Sequence, residues 1–143
     1  MKTLRQLIAS KEKGIISVSP NDTVFHALQV MANHDVGAVV VLDGEALVGI
    51  FSERDYARKI ILRDRASKDT LVKEIMTGKV ICVTPDKTVE DCMAIMAAER
   101  FRHLPVIDEE KKLIGLITIS DVVKETIDHQ QFIIGQLENY ITS

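Results

Sequence analysis

An α+β fold (α/β-like), built from two similar units packed around a pseudo-twofold axis, is predicted by three observations. A segment recurs 65 residues further on, apolar runs of strand length flank it, and each copy carries an amphipathic helical stripe. The recurring segment is Val18-Ser19-Pro20-Asn21-Asp22-Thr23-Val24, matched by Val83-Thr84-Pro85-Asp86-Lys87-Thr88-Val89. Each Pro drives the chain before it toward extended geometry, which places Val18 and Val83 near strand ends. Asn21 or Asp22 in the first copy and Asp86 in the second stand where an N-cap would hold free helix N–H groups. Val24, Ala27, Leu28, Met31 and Ala32 then match Val89, Cys92, Met93, Met96 and Ala97. That spacing is the buried stripe of a helix, so Cys92, Met31, Met93 and Met96 are expected in the core.

Two apolar runs follow the helices, Ala38-Val39-Val40-Val41-Leu42 and His103-Leu104-Pro105-Val106-Ile107. Near-continuous runs of this kind are strands buried on both faces. Asp43-Gly44 is a hairpin turn, and the matching turn, Asp108 to Lys112, is one residue longer. The offset therefore becomes 66, and Leu47-Val48-Gly49-Ile50-Phe51-Ser52 matches Leu113-Ile114-Gly115-Leu116-Ile117-Thr118. Each copy closes with a second helix, from Arg54 to about Arg63 and from Asp121 onward. The units read β-α-β-β-α, too small to bury enough apolar surface alone, so they should pack together. The chain divides into an N-terminal segment (1–15), repeat 1 (16–66), a connector (67–77), repeat 2 (78–128) and a C-terminal helical tail (129–143). Leu71-Val72-Lys73-Glu74-Ile75-Met76 is expected to form a short helix entering the second copy.

Composition excludes several classes of function. The 143 residues are 46% hydrophobic and 27% charged, which argues against disorder. Lys and Arg total 18 against 21 for Asp and Glu, so no basic excess drives nucleic-acid binding. Trp is absent and aromatics are 4%, which disfavours a base-stacking platform. No stretch approaches the roughly 18 apolar residues of a membrane span. Residues 1–10 lack the apolar core of a signal peptide. Cys82 and Cys92 make neither a disulfide framework nor a zinc site, and a reducing cytoplasm is the expected location. His26, His34 and His129 have no metal-ligand spacing, and Ser52 lacks the Gly-x-Ser-x-Gly elbow of a nucleophile.

Gly49-Ile50-Phe51-Ser52-Glu53-Arg54-Asp55 and Gly115-Leu116-Ile117-Thr118-Ile119-Ser120-Asp121 share a Gly-x-x-Ser/Thr-x-x-Asp pattern. With the Pro-x-x-Thr-Val helix starts, and with His103-Leu104-Pro105-Val106-Ile107-Asp108, the chain resembles a tandem pair of cystathionine β-synthase (CBS) domains, or Bateman module, of the stand-alone bacterial type. The resemblance runs from about Ile16 to about Glu125. It implies a regulatory, non-catalytic module whose inter-repeat cleft binds an adenosyl effector: AMP, ADP, ATP, NAD or S-adenosylmethionine. No other cofactor is required. The implied ligand-binding residues are Ser17, Val18, Gly37, Ala38, Ser52, Arg54, Asp55, Cys82, Thr84, Arg102, His103, Pro105, Thr118, Ser120 and Asp121.

The residues support a nucleoside site independently. Asp55 and Asp121 each lie at a helix mouth, where a carboxylate can accept both hydroxyls of a ribose, and helix N-termini favour phosphate. Gly49 and Gly115 are expected to let the backbone approach a ligand closely. The competing reading makes Ser/Thr-x-x-Asp a helix cap and nothing more. Arg102 and His103 match Gly37 and Ala38, so the copies differ in charge beside the cleft. Arg102 fits either phosphate or a solvated surface, and His103 fits either a ligand contact or a structural hydrogen bond. Arg54, Arg58, Lys59, Arg63 and Arg65 form a basic face with solvent as its ordinary partner.

The tail carries Val123, Ile127, Ile134, Leu137 and Ile141 at helical spacing, with Phe132, Ile133 and Tyr140 beside them. Such a face needs cover, and a homodimer supplies it twice; folding back onto its own module is the alternative. The expected function is thus a nucleotide-sensing regulator of a target protein the sequence does not name. The alternatives are a structural dimerisation module without ligand, or a small nucleotide hydrolase.

Overall fold

The computed structural model describes residues 1–11 and 14–142. In the first copy β1 (Ser17–Val18) runs parallel to β2 (Ala38–Asp43), which pairs antiparallel with β3 (Ala46–Ser52). In the second, β4 (His103–Ile107) pairs antiparallel with β5 (Leu113–Thr118), and Val83 bridges Val106 in parallel. The sequence repeat is also a repeat of register. Val18 faces Val41 as Val83 faces Val106, and Val39 faces Phe51 as Leu104 faces Ile117. Both hairpins slip register at the same point, after Val41 and after Val106. Gly44 carries the positive φ of the first turn (65°), while in the longer second turn Lys111 carries it (63°). There the Asp108 carboxylate accepts the Glu110 and Lys112 N–H groups, both at 2.9 Å, and secures the turn.

The helices α2 (Val24–His34) and α5 (Val89–Glu99) follow each first strand. Their caps are not Asn21, Asp22 or Asp86. Thr23 accepts the His26 N–H at 3.1 Å, and Thr88 accepts the Asp91 N–H at 3.2 Å. The carboxylates are engaged outside the helix: Asp22 accepts the Ser19 N–H at 2.8 Å. The Thr84 hydroxyl, together with the backbone, holds the Asp86 carboxyl below its usual range. The buried stripe is narrower than the sequence spacing: Val24, Ala27 and Met31, matched by Val89, Cys92 and Met96. Met93 is 40% exposed and outside the core, because it turns toward the last helix, where its sulfur accepts the Thr126 hydroxyl.

Two short helices complete the cores. The first, α1 (Leu4–Ser10), puts Leu4 and Leu7 into the second copy's core with Val89, Cys92, Leu104 and Ile117. The other, α4 (Val72–Ile75), puts Val72 and Ile75 into the first copy's core with Val24, Val39, Phe51 and Ile60. Thr3 bridges Thr88 as Leu71 bridges Thr23, so the helices hold equivalent places. The helix at Val72–Ile75 therefore closes the first copy rather than entering the second, and the N-terminal segment closes the second. The repeat glycines serve this closure. A Cβ on Gly49 would lie 2.7 Å from Met76 Sδ and 2.9 Å from the Thr77 carbonyl oxygen, and one on Gly115 would lie 2.7 Å from Ile8 Cδ1. What approaches these backbones is the chain itself.

After β3, a single helix from Arg54 to Arg63 is replaced by α3 (Glu53–Tyr56) and a π-helical turn, Ala57–Ile61, that keeps Ile60 buried. After β5, α6 (Ile119–Thr142) runs 24 residues through Gly135 without a break. Only Val122 and Glu125 along it are buried. The 14 residues beyond Asp128 span about 21 Å at 1.5 Å per residue. Phe132, Ile134, Leu137, Tyr140 and Ile141 there are exposed, so the tail does not fold back onto its own module. Among the described residues no helix is long and apolar enough to cross a membrane.

Candidate functional site

One cleft of about 1060 Å³ opens between the copies, and both copies line it with matched residues. Ile16 pairs with Ile81, Val36 with Phe101, Ile50 with Leu116, Ser52 with Thr118 and Asp55 with Asp121. Each half thus offers an apolar wall, a hydroxyl and a carboxylate at a helix mouth. The matched positions that differ in charge are Gly14 and Lys79, Asp35 and Arg100, Gly37 and Arg102, Ala38 and His103, Glu53 and Ile119, and Arg54 and Ser120. Among the described residues Lys11, Arg54, Arg58, Lys59, Lys79, Arg100 and Arg102 line the cleft against Asp35, Glu53, Asp55 and Asp121. An overall acidic chain therefore turns a basic lining inward, which suits an anion.

Of the sequence-derived residues, the cleft gathers Gly37, Ala38, Ser52, Arg54, Asp55, Arg102, His103, Thr118, Ser120 and Asp121. Ser17, Val18, Cys82, Thr84 and Pro105 do not line it. Strand alternation explains Val18, which points into the first core; Ser17 shares the sheet face of Val40 and Ile50 without reaching the cleft, and Ile16 beside it lines the wall. Ile81 does the same for Cys82, whose thiol pKa burial pushes up. Thr84 is exposed and spends its hydroxyl on Asp86; Pro105 is buried, and its carbonyl accepts the Val83 N–H at 2.9 Å.

Both aspartates form reciprocal helix caps. Asp55 Oδ2 accepts the Ser52 N–H at 3.0 Å and the Ser52 hydroxyl at 3.1 Å, while Ser52 Oγ accepts the Asp55 N–H at 3.2 Å. Asp121 Oδ2 accepts the Thr118 N–H at 2.9 Å, and Thr118 Oγ1 accepts the Asp121 N–H at 3.2 Å. Each carboxylate also has cationic company that no motif announced. Asp55 Oδ1 accepts the Thr77 hydroxyl at 3.0 Å and lies 3.2 Å from Lys59 Nζ. Asp121 Oδ2 lies 2.7 Å from Lys11 Nζ. The described contacts of Asp121 fall on Oδ2; Asp55 has both oxygens engaged.

His103, half-buried at the start of β4, links the two halves. Burial lowers its pKa and Arg102 adds to this, while Asp55 and, less strongly, Asp121 pull the other way. A phosphate entering between Arg102 and His103 would favour the charged imidazole. Among the described residues no cluster of His, Cys, Asp and Glu is placed to hold a metal ion.

Comparison with known proteins accounts for the duplication. A family model described as CBS domain matches residues 8–62 and again 72–128. A "CBS domain-containing protein CBSX3, mitochondrial" of Arabidopsis thaliana is 40% identical over 148 residues, covering 97% of this chain and 71% of that protein. The solved structure of a "putative signal-transduction protein with CBS domains" from Burkholderia ambifaria is 47% identical, with a TM-score of 0.85 over 90% of this chain and 96% of that one. An inosine-5'-monophosphate dehydrogenase of Methanocaldococcus jannaschii is 39% identical over 113 residues, but these are 22% of its length.

Proposed function

Because this chain belongs to the CBS domain family and carries two copies in tandem, we propose that it is a regulatory, ligand-sensing module whose shared cleft binds an adenosyl nucleotide. AMP, ADP, ATP and NAD share the chemistry the cleft would read. The observation that carries this reading is the matched lining: an apolar wall for a base and a carboxylate for a ribose in each half, with basic residues between them. Arg102 and His103 stand where the first copy has Gly37 and Ala38, so phosphate binding should be unequal in the two halves and weaken with salt. The exposed apolar face of α6 suits a homodimer, through which a ligand-dependent change would reach a target protein. A reducing cytoplasm suits the free thiols of Cys82 and Cys92, the latter held protonated by burial, its pKa pushed up to about 11.

One observation favours a second reading. Both aspartates spend hydrogen bonds on capping boxes within their own helices, as a purely structural module would require. A thermal-shift panel of AMP, ADP, ATP, NAD and S-adenosylmethionine, with product analysis, separates the readings. A ligand at 100 times its dissociation constant adds about 2.7 kcal/mol of stability. No shift with any of them supports the structural module, and turnover makes the protein a nucleotide hydrolase.

A further inference from the structure

We propose that Lys11 is a specificity-determining residue of the Asp121 half of the cleft, selecting phosphorylated over unphosphorylated nucleosides. The proposal rests on the cleft being an adenosyl site.

The two halves hold their carboxylates by different means. In the first, Asp55 Oδ1 takes the Thr77 hydroxyl and Lys59, and the neighbouring Ile50 carbonyl accepts the Thr77 backbone N–H at 2.9 Å. Thr77 is fixed there by its backbone, since Ile50 N–H also donates to the Thr77 carbonyl at 3.0 Å. Lys59 is tethered at 3.0 Å to the Ile75 carbonyl. Among the described residues these donors have no counterparts in the second half. The residue 66 positions after Lys59 is Glu125, buried and paired with Lys2 at 3.5 Å, and a carboxylate cannot neutralise Asp121. The carbonyl matching that of Ile50 belongs to Leu116. Lys11 Nζ covers both groups, 2.7 Å from Asp121 Oδ2 and 2.7 Å from the Leu116 oxygen. One ammonium on a flexible stem thus replaces a backbone N–H, a hydroxyl and a lysine.

That substitution has a consequence for ligands. A ribose hydroxyl that takes Asp121 Oδ2 competes with the ammonium for that oxygen. Once loosened, Lys11 remains charged in a lining that already holds Lys79, Arg100 and Arg102. A phosphate ester supplies the counter-charge within the same ligand, and a nucleoside does not. The Asp55 half has no such requirement, because Thr77 is a neutral donor and Lys59 keeps its carbonyl partner.

The test is calorimetry of AMP and adenosine with the full chain, comparing wild type with Lys11→Met, Lys11→Gln and Lys11→Arg. The wild type should prefer AMP to adenosine. Both neutral variants should reduce that preference about tenfold, by losing AMP affinity while adenosine affinity holds or rises, and Lys11→Arg should keep it. The ratio is read on one protein, so a partly unfolded sample does not distort it, and the Gln variant retains a donor for Leu116. An unchanged ratio, or an equal loss of both ligands, with AMP still bound by the wild type, overturns the role of Lys11 and leaves the cleft reading intact. If the wild type binds neither AMP nor adenosine, the cleft reading fails and Lys11 falls with it.

Discussion

Replacing Asp55 and Asp121 by Ala will cost the ligand-free fold unequally, although the two occupy the same place in the repeat. Asp55 is 8% exposed, and its two oxygens engage Ser52 N–H, Ser52 Oγ, Thr77 Oγ1 and Lys59 Nζ at 3.0, 3.1, 3.0 and 3.2 Å. Loss of a cap costs about 1 kcal/mol, and each hydrogen bond to an ionised group about 1.5–3 kcal/mol, without additivity inside one network. The sum for Asp55→Ala is about 3–4 kcal/mol. Asp121 has two described partners, Thr118 N–H and Lys11, both on Oδ2, and its pair with Lys11 is partly solvated. With screening, about 1–2 kcal/mol is at stake there. For a chain of 143 residues, 1 kcal/mol moves Tm by about 3–4 °C. Circular-dichroism melts without nucleotide should therefore show a loss of about 9–16 °C for Asp55→Ala and about 3–8 °C for Asp121→Ala. Equal losses, or the reverse order, would refute the geometry. The same proteins separate capping from binding: a residue that only caps lowers Tm and leaves AMP affinity unchanged.

Three further outcomes follow from individual contacts. Gly49→Ala should lower the urea midpoint more than Gly115→Ala, by an overpacking cost of about 1–3 kcal/mol, because it strikes the Thr77 backbone whereas Gly115→Ala meets a side chain; equal midpoints would count against this. Burial lowers the His103 pKa on folding, so the unfolded chain takes up that proton first as pH falls below about 6.5. Stability from this residue is complete above that pH and is lost as pH falls toward the lower folded value; His103→Gln should flatten that part of the stability profile, and an unaltered profile would contradict the assignment. Light scattering at micromolar concentration should give a dimer for the full chain and a monomer for a chain ending at Asp128. A full-length monomer defeats the dimer, and a dimer that survives truncation moves the interface away from the tail.

The repeat was legible because Pro20 and Pro85 and the helix stripes keep an offset of 65, the Gly-x-x-Ser/Thr-x-x-Asp segments keep 66 after the longer second turn, and the strand registers follow both. The closing helices were not legible as a pair. Thr3-Leu4 and Leu71-Val72 stand 68 apart, and their kinship lies in which core they fill, which no local pattern encodes. The same gap hid Lys11 and Thr77, whose roles come from crossing onto the opposite repeat or back onto the preceding strand. Lys59 was visible only as one charge on a basic face; the π-helical turn and the carbonyl of Ile75 give it an inward partner. Asn, Asp and Thr all cap well and lie within three residues of one another, so composition alone leaves the helix start open between Asn21, Asp22 and Thr23.

The central claim, that the inter-repeat cleft is an adenosyl site read by its aspartates, is met most directly by a crystal structure of the full chain grown with AMP. The account predicts the ribose diol within hydrogen-bond distance of Asp121 or Asp55, the adenine against the matched apolar walls of Ile16 and Ile81 or Ile50 and Leu116, and the phosphate toward Arg102 and His103. A cleft left unoccupied at saturating AMP, or a nucleotide bound with its ribose away from both carboxylates, would contradict it.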